Sequence, residues 1–178
     1  SLAVLLISLL SHIQDTKYDD YQIAEISYRA EREELKIKGG WQDQYAAVTG
    51  GFNFMEFNSN KSLIYPLRLK EEVVNELNSR MLLCYVGRGH DSGALHTDQQ
   101  QKFAVDEEEI ASNLNETKKI AIEIKDSLLT NNLEKIGELL HRSWENKRKL
   151  ASSISYPYID QLYEIGLKNG ALGGKLLG

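Results

Sequence analysis

The sequence predicts an α+β fold in two parts, and three observations predict it. Residues 52–57 set Phe52, Phe54 and Phe57 against Asn53 and Glu56, close to the two-residue period of a strand, with one slip or bulge. The run SLIYPLRL follows the turn signal Asn58 to Lys61 and reads as a second strand, so the two are expected to form a hairpin, with Pro66 favouring an edge. From Leu95 to Lys168 the strand signal fades and helical periodicity takes over. That change of texture places a domain boundary near residues 70–80 and divides the chain into residues 1–78 and 79–178.

Each element has its own signal. Leu2 to Ile13 is apolar on nearly every face, which predicts a helix in an interior. After the polar turn QDTKYDD, Tyr21 to Leu35 predicts an amphipathic helix. Ile23, Ile26, Ala30 and Leu35 make its core stripe, Arg29, Arg32, Glu33 and Glu34 turn mostly outward, and Glu31 borders the stripe. Leu69 to Ser79 is polar and partly helical, and Met81 to Val86 reads as a short buried strand. Helices are expected at Leu95 to Phe103, Glu107 to Thr130, Asn132 to Ala151 and Tyr158 to Lys168, broken at Asn131/Asn132 and over Ser152 to Pro157. The acidic run Asp106 to Glu109 suits the positive end of a helix better than a metal cluster.

Bulk composition limits the function classes. With 178 residues and 42% hydrophobic content the chain can build a real core. Its net charge of -5 and pI near 5.4 argue against a broad nucleic-acid surface while leaving room for a small basic pocket that takes a phosphorylated ligand. Its single cysteine, Cys84, makes no internal disulfide and no Cys-rich zinc site, so a reducing, cytoplasmic setting is expected, with Cys84 a buried apolar residue in MLLCYV. His12, His96 and His141 share no spacing that makes a metal site. Ten apolar residues at the start are too few to span a bilayer and lack the flanks of a secretory signal, so no membrane is expected as a partner. The beginning SLAVLLISLL and the end ALGGKLLG both read as interrupted elements, as in a piece of a longer protein.

The stretch GGWQDQYAAVTGGFNFMEF, from Gly39 to Phe57, carries the sharpest chemical signal. It sets one acid, Asp43, between Gln42 and Gln44 and beside Tyr45, groups that can hydrogen-bond a polyol, and brackets them with the pairs Gly39/Gly40 and Gly50/Gly51. Such a turn suits an active site. Equally, Asp43 fits as the N-cap of a short helix over Gln44 to Val48. GRGHDSG, from Gly87 to Gly93, offers Arg88, His90 and Asp91 on a loop, either a clamp for a sugar phosphate or a polar connector. In ALGGKLLG, Gly173 and Gly174 either expose backbone N–H groups to an anion with Lys175 adding charge, or end a helix.

Together, GGWQDQYAAVTGGFNFMEF, MLLCYVGRGHDSG and YIDQLYEIGLKNGALGGKLLG resemble, in that order, the sugar kinases of the GHMP superfamily, nearest the heptose 7-phosphate kinase group with fucokinase and galactokinase relatives. The resemblance implies a ribosomal protein S5 domain 2-like N-terminal part and a ferredoxin-like C-terminal part, both truncated here. It implies Asp43 as the catalytic acid facing the sugar hydroxyl, Gln42, Gln44 and Tyr45 as sugar contacts, and Glu31 of YRAEREE as the magnesium ligand. Ser1 matches the last serine of the family's ATP-phosphate loop, while Arg88, His90, Gly173, Gly174 and Lys175 match substrate-binding positions. The implied reaction takes ATP and Mg2+ and phosphorylates a sugar or sugar phosphate, a heptose 7-phosphate at its anomeric hydroxyl foremost, for nucleotide-activated sugar synthesis. A fucose- or galactose-type acceptor, a non-catalytic sugar-phosphate binder on a degraded kinase scaffold and a helical assembly module stay open, as does a homodimer. Without the phosphate loop, the chain alone is expected to be inactive.

Overall fold

The computed structural model describes residues 1–58, 61–87, 107–150 and 155–177, which fall into two compact units, Ser1–Arg68 and Leu69–Gly178. The first begins with α1, Leu2–Ile13, packed on α2 and α3. Only Val4 and Ser11, two turns apart, are buried. Leu2, Leu5 and Ile13 remain 71%, 64% and 69% exposed, so the expected interior helix is here covered along a single stripe. The physical reason is that, among the described residues, its main neighbours are α2 and α3, which cover one side of it.

Helix α2, Asp20–Arg29, starts at a reciprocal cap in which Asp19 accepts from Gln22 N–H at 2.8 Å and the Gln22 side chain accepts from Asp19 N–H at 2.9 Å. Its most buried positions are Ala24 and Ser27, with Ile23 and Ile26 half-buried. The helix does not continue regularly to Leu35. Residues Ala30–Glu34 form a π-helical turn in which Leu35 N–H reaches back five residues to Ala30 C=O at 3.1 Å. The extra residue breaks the 3.6-residue stripe, leaving Leu35 68% exposed and turning Arg32 inward, the reverse of what the sequence predicts for both.

Helix α3, Gln42–Thr49, ends at Gly50, and Gly50 and Gly51 have φ of 60° and 63°, where a side chain would be strained. Strands β1, Asn53–Asn58, and β2, Lys61–Pro66, pair antiparallel in an unbroken register from Asn53↔Pro66 to Asn58↔Lys61. The hairpin is as expected, but without the slip or bulge: Phe52 lies before β1, so the apparent fault in the alternation is the strand's edge. Tyr45 joins the two halves of this unit, its ring 5.7 Å from that of Tyr21 and 5.6 Å from that of Phe57.

In the second unit α4, Glu71–Arg80, leads into residues 81–86, which form no strand. Leu82, Leu83 and Tyr85 are 95%, 90% and 88% exposed and Cys84 is exposed too, so the expected buried strand and buried thiol are both corrected. A strand is made by hydrogen-bonded neighbours, and none pairs with this run among the described residues. Helices α5, Glu107–Leu129, and α6, Leu133–Leu150, form an αα-hairpin that turns at Asn131, φ 55°, with the Asn132 side chain accepting from Lys135 N–H. Val73 and Leu77 of α4 pack on Leu133 and Ile136. Helix α7, Pro157–Lys168, opens with proline where its missing N–H costs nothing and buries Ile159 against Trp144, beside Tyr163, Tyr156 and Val86. The helix expected at residues 95–103, and His96, lie outside the described residues. Among the described residues no helix is long and apolar enough to cross a membrane.

Candidate active site

The π-helical turn, the start of α3 and Ser1 at the head of α1 bring five polar side chains of the first unit together. Glu31 is the hub: one carboxylate oxygen accepts from the Ser1 hydroxyl at 2.6 Å, the other from the Gln44 amide at 2.6 Å. Arg32 Nη1 stands 3.7 Å from that second oxygen, and its Nη2 stands 3.7 Å from Asp43 Oδ2. Arg32 is 11% exposed and Asp43 65%, so the cluster grades from a buried cation to a carboxylate open to solvent.

Helix geometry explains the grading. Helix α3 starts at Gln42 after Trp41, two residues earlier than a cap at Asp43 requires, and no side chain caps it. Asp43 therefore sits inside the first turn, where its charge suits the helix N-terminus, and is not the N-cap. At 100° per residue, α3 leaves Gln42 and Asp43 outside and turns Gln44 and Tyr45 into the unit, where both are buried. Of the three residues expected to touch a sugar, only Gln42 is accessible. Gln44 holds Glu31 and Tyr45 packs between aromatic rings. Trp41 lies flat on Tyr28, ring centroids 3.5 Å apart at 6°, which fixes the entry to α3.

Two buried polar atoms in the cluster, Arg32 Nε and Gln44 Oε1, have no hydrogen-bond partner among the described residues. A buried, unpaired polar atom costs roughly 1–3 kcal/mol, an arrangement folding alone does not favour. The oxygens present, Ser1 Oγ, Glu31 carboxylate and the free Gln44 Oε1, are hard donors of the kind magnesium takes alongside water and phosphate. The donor set thus fits that metal.

The sequence matches the GHMP kinases N terminal domain over residues 1–51 and the GHMP kinases C terminal domain over residues 124–178, together more than half of the chain. The chain belongs to the GHMP kinase family. It is 35% identical over 160 residues, 89% of its length, to a D-glycero-alpha-D-manno-heptose 7-phosphate kinase of Campylobacter jejuni, and 27% identical over 66% of its length to a glucuronokinase of Arabidopsis thaliana. It spans 47% and 32% of those two proteins. A solved D-glycero-D-manno-heptose 1-phosphate kinase from Bacteroides thetaiotaomicron superposes with a TM-score of 0.72 at 27% identity, over 99% of this chain and 48% of that one. The α+β architecture is that of GHMP kinases.

Within this GHMP kinase chain the remaining expected site residues lie apart from the cluster in the chain. Arg88 and His90 fall outside the described residues. Gly173 and Gly174 follow α7 in the second unit with ordinary backbone angles; Gly170, φ 96°, is the residue that ends the helix. Gly173 lies against α6 so closely that a Cβ there would come 2.7 Å from His141 N and nearer still to the Gly137 carbonyl oxygen. The Tyr163 hydroxyl lies 2.6 Å from His141 Nδ1 and is held above its ordinary range by burial, which the Gly174 backbone partly offsets.

Lys175 is exposed, and Lys147 donates to the Leu176 carbonyl at 3.3 Å. Burial first, then the charge of Lys175, holds Lys147 below its ordinary 10.5. The unfolded chain therefore binds more protons between that lowered value and 10.5, and stability rises with pH across the interval. Lys147→Met is expected to flatten this alkaline rise in thermal melts taken from pH 7 upward; an undiminished rise would assign it elsewhere.

A groove of about 780 Å³ between α5 and α6 is lined by Asn113, Glu116, Arg142 and Asn146. It does not contain the Glu31 cluster. Arg142 is already bound to Glu116 at 2.7 Å and to Glu123 at 3.1 and 3.0 Å, so its charge is spent within the helix pair. The chemistry of the Glu31 cluster outweighs the volume of the groove. Sequence reasoning missed Arg32. The signal that could have found it is Gly39, a glycine with ordinary φ whose missing Cβ leaves space for the guanidinium.

Proposed function

We propose that the complete protein containing this chain is an ATP-dependent sugar kinase whose acceptor is a sugar phosphate, a heptose 7-phosphate taken at its anomeric hydroxyl being the first choice. The observation that carries the reading is the joining of Ser1, Glu31 and Asp43 through Gln44 and Arg32 in one cluster. The 35% identity to a heptose 7-phosphate kinase supports the acceptor.

In this reading the acceptor oxygen bonds to the γ-phosphorus, the bond from phosphorus to the β–γ bridging oxygen breaks, and ADP leaves with that electron pair. Asp43, the exposed carboxylate, orients the hydroxyl and receives its proton, while Gln42 on the same open turn contacts the sugar. Glu31 and Ser1 would hold Mg2+, which when bound neutralises charge on the phosphate oxygens. Gln44 keeps the Glu31 carboxylate in one orientation. Gly173, Gly174 and Lys175, with Arg88 and His90, complete the proposal as phosphate contacts, on the strength of the resemblance. Residues 1–78 then close the N-terminal domain and 79–178 belong to the C-terminal one, in a reducing cytoplasmic setting.

The test is ATP consumption by the complete protein against a panel of heptose 7-phosphate, fucose, galactose, glucuronate and mannose derivatives. Mg2+-dependent turnover with heptose 7-phosphate alone is expected. Turnover with a free sugar would move the acceptor to the fucose or galactose type, and binding of sugar phosphate without ATP consumption would mark a non-catalytic protein.

A further inference from the structure

We propose that Arg32 is a positioning residue, a buried fork that sets the distance and angle between Glu31 and Asp43, and that Gly39 exists to leave room for it. The inference rests on the reading of Asp43 and Glu31 above; it gives a role to Arg32, which that reading uses only as a link in the cluster, and to Gly39, which it does not use.

The π-helical turn supplies the geometry. A regular helix through Ala30–Glu34 would carry Arg32 toward solvent, as its periodicity predicts; the added residue turns it inward to 11% exposure. There one terminal nitrogen faces Glu31 at 3.7 Å and donates to the Ile37 carbonyl at 3.4 Å, while the other faces Asp43 at 3.7 Å. A planar guanidinium can address two carboxylates at a fixed angle, which the point charge of a lysine cannot.

Pairing a buried cation requires only one carboxylate, and Glu31 already provides it. The second arm points at the exposed Asp43, which has no need of a partner for folding. Arg32 Nε is left with no partner among the described residues, so the side chain is placed for its outer nitrogens rather than for complete satisfaction. Gly39 is the second, independent observation. A Cβ there would lie 2.7 Å from both Arg32 Cζ and Nη2, although the Gly39 backbone angle itself does not call for glycine. Any side chain at position 39 pushes the guanidinium away from Asp43.

The experiment measures kcat and KM with the preferred acceptor for Arg32→Gln, Arg32→Lys, Arg32→Ala and Gly39→Ala in the complete protein, with Asp43→Asn beside them. Misplacing a reacting group by about 1 Å can cost on the order of 100-fold. Arg32→Gln is therefore expected to lose about 10- to 100-fold in kcat with KM within about threefold. Arg32→Lys should fall between it and the wild type, guanidinium ion added to Arg32→Ala should restore part of kcat, and Gly39→Ala should repeat the loss. A purely structural role would lower the melting temperature without rescue by guanidinium.

Wild-type kcat in folded Arg32→Gln with an inactive Asp43→Asn overturns the role of Arg32 and leaves the kinase reading standing. If Arg32→Gln does not fold, wild-type kcat in both Arg32→Lys and Gly39→Ala overturns it instead. Full turnover in Asp43→Asn removes the kinase reading itself, and the inference with it.

Discussion

Asp43→Asn in the complete protein should lower kcat by about 10²- to 10⁴-fold, the range for losing a general base, with little change in melting temperature. The two halves of that expectation come from the same geometry. Asp43 is 65% exposed and its one described ion pair, to Arg32 Nη2 at 3.7 Å, is longer than a hydrogen bond. Exposed pairs of this kind contribute about 0–1 kcal/mol, so the fold has little to lose. A side chain that stabilises so little, yet is held beside a buried arginine at a helix start, is placed for what it meets in solution. Asparagine retains shape and hydrogen bonding but cannot take a proton. Steady-state kinetics with a melting curve on the same sample checks both parts; near-normal turnover would remove Asp43 from the chemistry.

Gly173→Ala should destabilise the 178-residue chain by about 3 kcal/mol, the upper end for overpacking, because the obstruction is backbone rather than a side chain that can rotate. The added methyl would overlap the Gly137 carbonyl oxygen and lie 2.8 Å from His141 Cβ. Gly137 is tight in return, since a Cβ there would come 2.5 Å from that of Leu172, so α6 and the tail approach each other through paired glycines. Denaturant unfolding without any ligand is the measurement. A loss there shows that Gly173 serves packing whether or not phosphate binds nearby; unchanged stability with weaker phosphate affinity would make it a ligand residue alone.

Much of the fold was legible because its signals are local. The αα-hairpin follows from two long periodic runs around Asn131, and the β-hairpin from Asn58 to Lys61 between alternating segments. The errors share one cause: the missing information is not local. Whether SLAVLLISLL or MLLCYV is buried depends on what packs over it, and its own composition states only that something could. Arg32 was misplaced because a π-helical turn adds one residue to a pattern read at 3.6 per turn, and nothing in AEREE announces the addition. In the candidate site, Asp43 stood out by its flanking amides and glycines but fitted a helix cap as well, and Glu31 was singled out only by the family resemblance, whereas Gln44 as support for Glu31 was not legible at all. Its inward turn depends on α3 beginning at Gln42.

The two tryptophans are divided one to each compact unit, Trp41 half-buried on Tyr28 beside Asp43 and Trp144 at 1% exposure in the second core. The chain therefore carries a pair of built-in optical probes. Replacing either with phenylalanine leaves an emission signal that follows a single unit. Comparing the two denaturation midpoints then measures how cooperatively the halves of the chain unfold, with no dye or label attached.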